Sequence, residues 1–213
     1  MRRIGLIYHR GAATPSLHAP GGQSASGAGG ALELVADARL DNRADILAAL
    51  GLAGPEGALL TDAALILAAY ERWGENCPAH LLGDFAFALW DARRHRIFCA
   101  RDHAGIRQLS YYSDARLFAC ASAPWQLLDV PGVPAEPDQL TLARWLLDRF
   151  PDPDVTLYRG IRRLPAAHVL IASDSGVELR RYWDAADAAP VSRRIDVGPG
   201  SGRWSVFPDR SAR

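Results

Sequence analysis

The chain has 213 residues, 24 basic and 24 acidic side chains, and 49% hydrophobic residues, so its formal charge is zero. With a mean hydropathy of −0.07 it falls among ordinary globular chains, which excludes disorder as the dominant state. The zero balance leaves no electrostatic footprint for nucleic acid or an anionic membrane. Because every cation is arginine, lysine Schiff bases and phosphate-loop lysines are excluded as well.

One large domain, or a domain with a tail, suits this length. Residues 4–8 predict a short strand, and residues 11–30, dominated by Gly, Ala, Ser and Pro, predict a flexible loop. Residues 32–40 are apolar again and predict a strand. Asp41-Asn42-Arg43-Ala44-Asp45 then opens a short helix over 46–50, closed by Gly51. Thr61 or Asp62 caps a helix running to Trp73, where Leu65, Ile66, Ala69 and Tyr70 recur at helical spacing and Gly74 provides the stop. A further helical turn over 78–82 ends at Gly83.

Three apolar stretches, 84–91, 96–101 and 116–121, predict antiparallel strands. Their apolar residues fill both alternation phases, as strands covered on both faces require, so a layered sheet is expected. Residues 125–130 and 138–150 read as helices, and 168–172 with 177–183 as a hairpin turning at Asp174-Ser175-Gly176. An ordered domain is therefore expected over residues 1–184. Residues 185–213, rich in Gly, Pro and Arg without apolar periodicity, predict a disordered tail.

The three cysteines, Cys77, Cys99 and Cys120, are widely spaced and form no C-x-x-C pair, so neither a disulfide framework nor a metal site is expected. A reducing compartment, the cytoplasm, fits them best. The sequence has no apolar run of about 18 residues for a membrane span. Its first apolar run is too short for a signal peptide.

Arg101-Asp102-His103-Ala104-Gly105 is the sharpest polar cluster. It has a functional reading, with His103 as an acid/base group, and a structural one, with Arg101 and Asp102 as a buried ion pair fixing a turn in which Gly105 supplies a special backbone angle. The structural reading is favoured. Asp62 has two readings too, an amino-group ligand or a helix cap, and capping is favoured. Cys99, Cys120, Trp90, Trp125 and Trp145 read as core residues.

Several motifs occur together in order. They are Asp37-Ala38-Arg39-Leu40-Asp41-Asn42-Arg43, Thr61-Asp62, Leu82-Gly83-Asp84-Phe85-Ala86-Phe87-Ala88-Leu89-Trp90-Asp91, Arg101-Asp102-His103-Ala104-Gly105-Ile106-Arg107, Ala121-Ser122, Leu164-Pro165 and Arg181-Tyr182-Trp183-Asp184. Over residues 32–184 the chain resembles the N-terminal glutamine amidotransferase domain of asparagine synthases. The resemblance implies an α+β fold, the four-layer αββα sandwich of N-terminal-nucleophile hydrolases. It also implies a reaction in which an N-terminal cysteine, with its own amine as base, attacks the glutamine amide. The released ammonia then serves a second, ATP-using domain that amidates aspartate.

Set against that pattern, the chain departs at several positions. Arg2 stands where the nucleophile is expected, no cysteine precedes Cys77, and the Arg-bearing substrate loop before residue 32 is missing. No catalytic residue is therefore carried over. Where the family has Asn-Gly-Glu, this chain has Asp37-Ala38-Arg39, while Asp62 matches the amino-group-binding aspartate. Asp37, Ala38 and Asp62 thus form a degenerate glutamine pocket, with glutamine or another amino acid as its expected ligand. The chain has no Ser-Gly-Gly-x-Asp-Ser pyrophosphate loop, so ATP and magnesium are expected only on a synthetase domain elsewhere. The change of character after Asp184 suggests a truncated or frameshifted gene.

Three functions follow as expectations. The first is a remnant of asparagine biosynthesis, inactive alone. The second is a nucleophile-free module that docks on a separate synthetase through exposed apolar surface, as scaffold or amino-acid sensor. The third is a related amide-forming system such as a lasso-peptide or β-lactam synthetase.

Overall fold

A computed structural model describes residues 3–149 and 152–187. In chain order these residues form β1 (Gly5–His9), β2 (Ser16–His18), β3 (Gln23–Gly27), β4 (Leu32–Leu40), α1 (Arg43–Ala49), α2 (Pro55–Ala58) and α3 (Asp62–Trp73). They continue with β5 (Gly83–Asp91), β6 (Arg96–Arg101), β7 (Ser110–Ser113), β8 (Leu117–Ala121), α4 (Gln139–Leu146), β9 (Arg162–Arg163), β10 (His168–Ser173) and β11 (Gly176–Arg181). Antiparallel pairing sorts the strands into a six-stranded sheet, ordered β11-β10-β6-β5-β4-β3, and a five-stranded sheet, ordered β2-β1-β8-β7-β9.

The alternation of each long strand decides which layer its side chains enter. Leu34, Ala36, Ala38 and Leu40 of β4 join Phe85 and Phe87 of β5 against Leu65, Ile66 and Tyr70 of α3. The opposite phase sends Val35, Ala88, Trp90 and Cys99 into the gap between the sheets, where they meet Leu6, Tyr8, Phe118 and Cys120. On the outer face of the five-stranded sheet, Ala119, Ala121 and Tyr112 pack with Leu127, Val130 and Ile161. Helices, two antiparallel sheets and an outer layer of helical turns give the αββα order.

Local chemistry places the helices. Thr61 Oγ1 accepts the Ala64 N–H at 3.2 Å to cap α3, whose last turn ends at Gly74 with φ +61. Asp138 Oδ1 caps α4 by accepting the Thr141 N–H at 2.7 Å. Gly83 opens β5 with φ +134, and a Cβ there would sit 2.1 Å from the Arg39 carbonyl oxygen. Gly83→Ala is accordingly expected to cost about 2–3 kcal/mol, because strain and a backbone collision act together. Thermal unfolding within a degree of wild type would contradict this.

Several expectations are corrected. Residues 11–30 are not one loop, because β2 and β3 form within them. β3 pairs through its backbone, Gln23 opposite Ala36 to Gly27 opposite Leu32, and its small side chains carry no apolar alternation to read. The stretch at 116–121 does not continue the sheet of β5 and β6. As β8 it lies between β1 and β7 in the other sheet, and β7 itself was not anticipated.

The helical turn expected at 78–82 spans Gly74–His80 instead, and the helix expected over 138–150 ends at Leu146. Trp125 and Trp145 are not core anchors, being 44% and 52% exposed, and the Arg3 guanidinium lies 4.9 Å over the Trp125 ring. Trp90 is buried. The expected tail lies outside the described residues from 188 onward, and Ala185–Asp187 form a single helical turn. Among the described residues no helix is long and apolar enough to cross a membrane.

Candidate functional site

Asp37 and Ala38 are neighbours on β4 and therefore face opposite layers. Ala38 joins the helix-side core, next to the first turn of α3. Since Thr61 supplies the cap, the expectation that Asp62 caps the helix is corrected and its carboxylate turns toward β4 and α1. Asp62 Oδ2 accepts the Leu40 N–H at 3.3 Å, and Oδ1 pairs with Nη1 of Arg43, the first residue of α1. Nη2 of Arg43 donates to the Leu60 carbonyl at 2.6 Å, which fixes the guanidinium in place.

Gln23, the first residue of β3, fills the remaining space. Its Nε2 donates to the Ala38 carbonyl at 3.2 Å, and its Oε1 accepts the Ala63 N–H at 3.0 Å. The structure thus brings Ala38 and Asp62 together and closes the space between them with the chain's own amide and guanidinium. Asp37 is 7% exposed on the other face, and Arg107 Nη1 lies 3.5 Å from its Oδ2. Among the described residues neither Asp37 Oδ1 nor Arg107 Nε has a hydrogen-bond partner. Arg39 points outward at 60% side-chain exposure and pairs with Asp41 and Asp84.

Gln23, Arg43 and Arg107 were not singled out from sequence. Gln23 had one signal, as the only long polar side chain in a run of Gly, Ala and Ser over residues 21–31. Arg43 and Arg107 each close a motif already noted, but their partners could not be read from it.

In the 101–107 segment, Arg101 and Asp102 do not form the expected ion pair with each other. Each is spent on backbone. Arg101 donates to the carbonyls of Arg107, Leu164 and Gly105 at 2.6, 2.6 and 2.5 Å. Asp102 accepts N–H groups from Phe85, Ile106 and Arg107 at 3.3, 2.8 and 2.8 Å. Gly105 has φ +68, and a Cβ there would lie 3.0 Å from the Ala166 methyl. His103 sits edge-on to Phe85, Tyr182 and Trp183, and burial holds its pKa below the ordinary imidazole value, with Asp102 partly offsetting. The environment therefore favours a neutral packing ring.

All three cysteines are buried free thiols. Burial pushes the Cys77 thiol upward, far from nucleophilic thiolate character. Among the described residues no group of three or more His, Cys, Asp or Glu side chains is placed to hold a metal ion.

Comparison with known proteins follows the same outline. A family model described as a glutamine amidotransferase domain matches residues 4–183. Asparagine synthetase 3 (glutamine-hydrolyzing) of Bacillus subtilis (strain 168) is 30% identical over 152 residues, covering 71% of this chain and 25% of that protein. A putative asparagine synthetase (glutamine-hydrolyzing) of Mycobacterium bovis is 42% identical over 159 residues, covering 71% of this chain and 24% of its own length. The chain thus spans about a quarter of the length of these curated relatives. The structure of glutamine phosphoribosylpyrophosphate amidotransferase from B. subtilis, complexed with ADP and GMP, superposes with a TM-score of 0.51 at 15% identity. It covers 85% of this chain and 43% of that one, a likeness of fold alone.

Proposed function

The chain belongs to the glutamine amidotransferase domain family, and from that premise we propose that it is a non-catalytic amidotransferase-like module of an asparagine-synthetase-type amide-forming system. It acts by docking on a separate ATP-using synthetase. The observation that carries this reading is the self-occupied pocket: Asp62 is bound by Arg43 and by the Leu40 amide, and Gln23 bridges Ala38 to α3. An amino acid's α-ammonium would have to displace a guanidinium already anchored at a second point on Leu60. Breaking this partly buried pair on one side would also leave the Leu40 amide and the Leu60 carbonyl without those partners.

The thiol chemistry points the same way. Cys77, Cys99 and Cys120 are all buried core thiols, which supports the non-catalytic reading. Three unbonded thiols also support a reducing compartment, the cytoplasm. ATP and magnesium belong to the synthetase in this reading.

A second reading is ammonia supply from glutamine for aspartate amidation, favoured by the glutamine-hydrolyzing names of the relatives and by the retained Asp62. One assay separates the two. The purified chain is expected to release no ammonia from glutamine above a buffer blank, and steady glutamate production would establish the second reading instead. Affinity isolation of the full chain from its native cells is expected to recover an ATP-using amide synthetase. Recovery of the chain alone would overturn the docking role.

A further inference from the structure

Each sheet ends in two edge strands, and on an edge strand every second backbone N–H and C=O points away from the sheet. Three of these edges are blunted. β2 has three residues, β9 is the pair Arg162–Arg163, and β11 carries Glu178, Arg180 and Arg181. β3 is the exception, with the sequence Gln-Ser-Ala-Ser-Gly, no charge and no proline. No charged residue occurs anywhere from Ala19 to Leu32. Among the described residues, the backbone of Ser24, Ala25 and Ser26 makes no hydrogen bond beyond its pairing with β4.

This edge is also open. Ser24 and Ser26 are exposed, opposite Val35 and Glu33 of β4, and line a cleft of about 580 Å³ together with Leu17 and Ala19 from the rim of the other sheet. A second copy of the strand would complement it. Turned about a two-fold axis through Ala25, the copy sets Ser24 opposite Ser26 and Gln23 opposite Gly27, and each backbone supplies the bonds that the other lacks. No like charges meet there. By strand spacing and rise, the nearest acids, Glu33 opposite Ser26 and Glu71 beside Gly27, stand about 14 Å or more from their copies, beyond the screening length of about 8 Å.

We propose that two copies of the chain join edge to edge through β3, antiparallel about Ala25, so that their six-stranded sheets run on as one. The contact is short. Five residues on each side bury less than a standard interface, so the pair exchanges with monomer and its population depends on concentration.

Sedimentation equilibrium of the full chain from micromolar to millimolar concentration tests this. The weight-average mass is expected to rise from 23.1 kDa toward twice that value, and a mass that stays at 23.1 kDa throughout overturns the proposal. Ser24→Lys with Ser26→Lys sets lysine opposite lysine and is expected to remain monomeric, and mixing that chain with the Ser24→Glu, Ser26→Glu chain is expected to restore a one-to-one pair. Ser24→Glu with Ser26→Lys in one chain sets opposite charges across the axis twice and is expected to tighten the pair about 5-fold. Parallel pairing would loosen that variant and a contact elsewhere would leave it unchanged, so either result overturns the proposal. In the wild type, hydrogen exchange of the amides of residues 24–27 is expected to slow as the mass rises. A dimer without that protection overturns the proposal too, whether or not a variant folds.

Discussion

An Asp102→Ala variant is expected to unfold with a free energy about 3–5 kcal/mol below that of the wild type, read from urea denaturation. The carboxylate is 1% exposed and accepts three backbone N–H groups, one from β5 and two from the loop that follows β6. Alanine would leave all three donors buried without an acceptor, and each then carries its full desolvation cost. Asp102→Asn keeps one oxygen acceptor and is expected to lose roughly half as much. The loop also depends on the Asp102 backbone, whose carbonyl accepts the N–H groups of Gly105 and Ala167 at 3.1 and 2.9 Å. A loss below about 1 kcal/mol for Asp102→Ala would show that this loop is held by those backbone bonds alone.

Asp91 should give the second large effect, with a dependence on pH. Its carboxylate is fully buried where β5 turns toward β6. It accepts the Tyr70 hydroxyl and Arg94 Nη1 at 3.0 Å each, and the N–H groups of Arg93 and Arg94 at 3.1 and 3.3 Å. Burial alone would raise its pKa. The bonds from Arg94 and Tyr70 outweigh burial and hold it below the ordinary carboxylate value. A group depressed in the folded state contributes stability in full above its unfolded pKa and loses it as pH falls through the folded value.

Asp91→Asn keeps the shape but cannot ionise. It is expected to be about 2–3 kcal/mol less stable than wild type at neutral pH. That difference should shrink as the pH is lowered through the acid range. Urea midpoints for both proteins from pH 7 downward would measure it, and a constant difference would mean that Asp91 acts through shape alone.

The parts of the fold legible in the sequence were those whose side chains report on their own neighbours. β4, β5 and β6 are apolar in both phases because each is covered on both faces, and α3 announces itself through Thr61, its apolar stripe and Gly74. β3 and β7 carry Gln, Ser, Ala and Tyr, and their place is set by backbone pairing with strands distant in sequence. Sheet membership was equally hidden. Nothing between Arg101 and Leu117 states that the chain crosses from one sheet to the other, because that crossing depends on Asp102 and Gly105 meeting Phe85 and Ala166.

The site divides in the same way. Asp37, Ala38 and Asp62 stood out through a motif, whereas Gln23 and Arg43 acquire meaning only when β3 and α1 are folded against α3. Trp145 was read as core because helical spacing marks an apolar face without saying what, if anything, covers it.

The pairing of β1 with β8 also governs when the molecule can fold. Gly5 pairs with Ala121 and His9 with Leu117, so β1, once it leaves the ribosome, must wait for more than a hundred further residues. At about 5–20 residues per second that wait lasts roughly 6–25 s, during which Ile4, Leu6 and Tyr8 remain uncovered. Later strands can zip up locally, since β5 and β6 are joined by a short turn. The rate-limiting event in refolding should therefore be long-range closure of the five-stranded sheet, as expected where non-local contacts dominate. Until it occurs, β1 has only β2 beside it and keeps a free edge on the side that β8 will take, the kind of edge that chaperones hold and that aggregates when they do not.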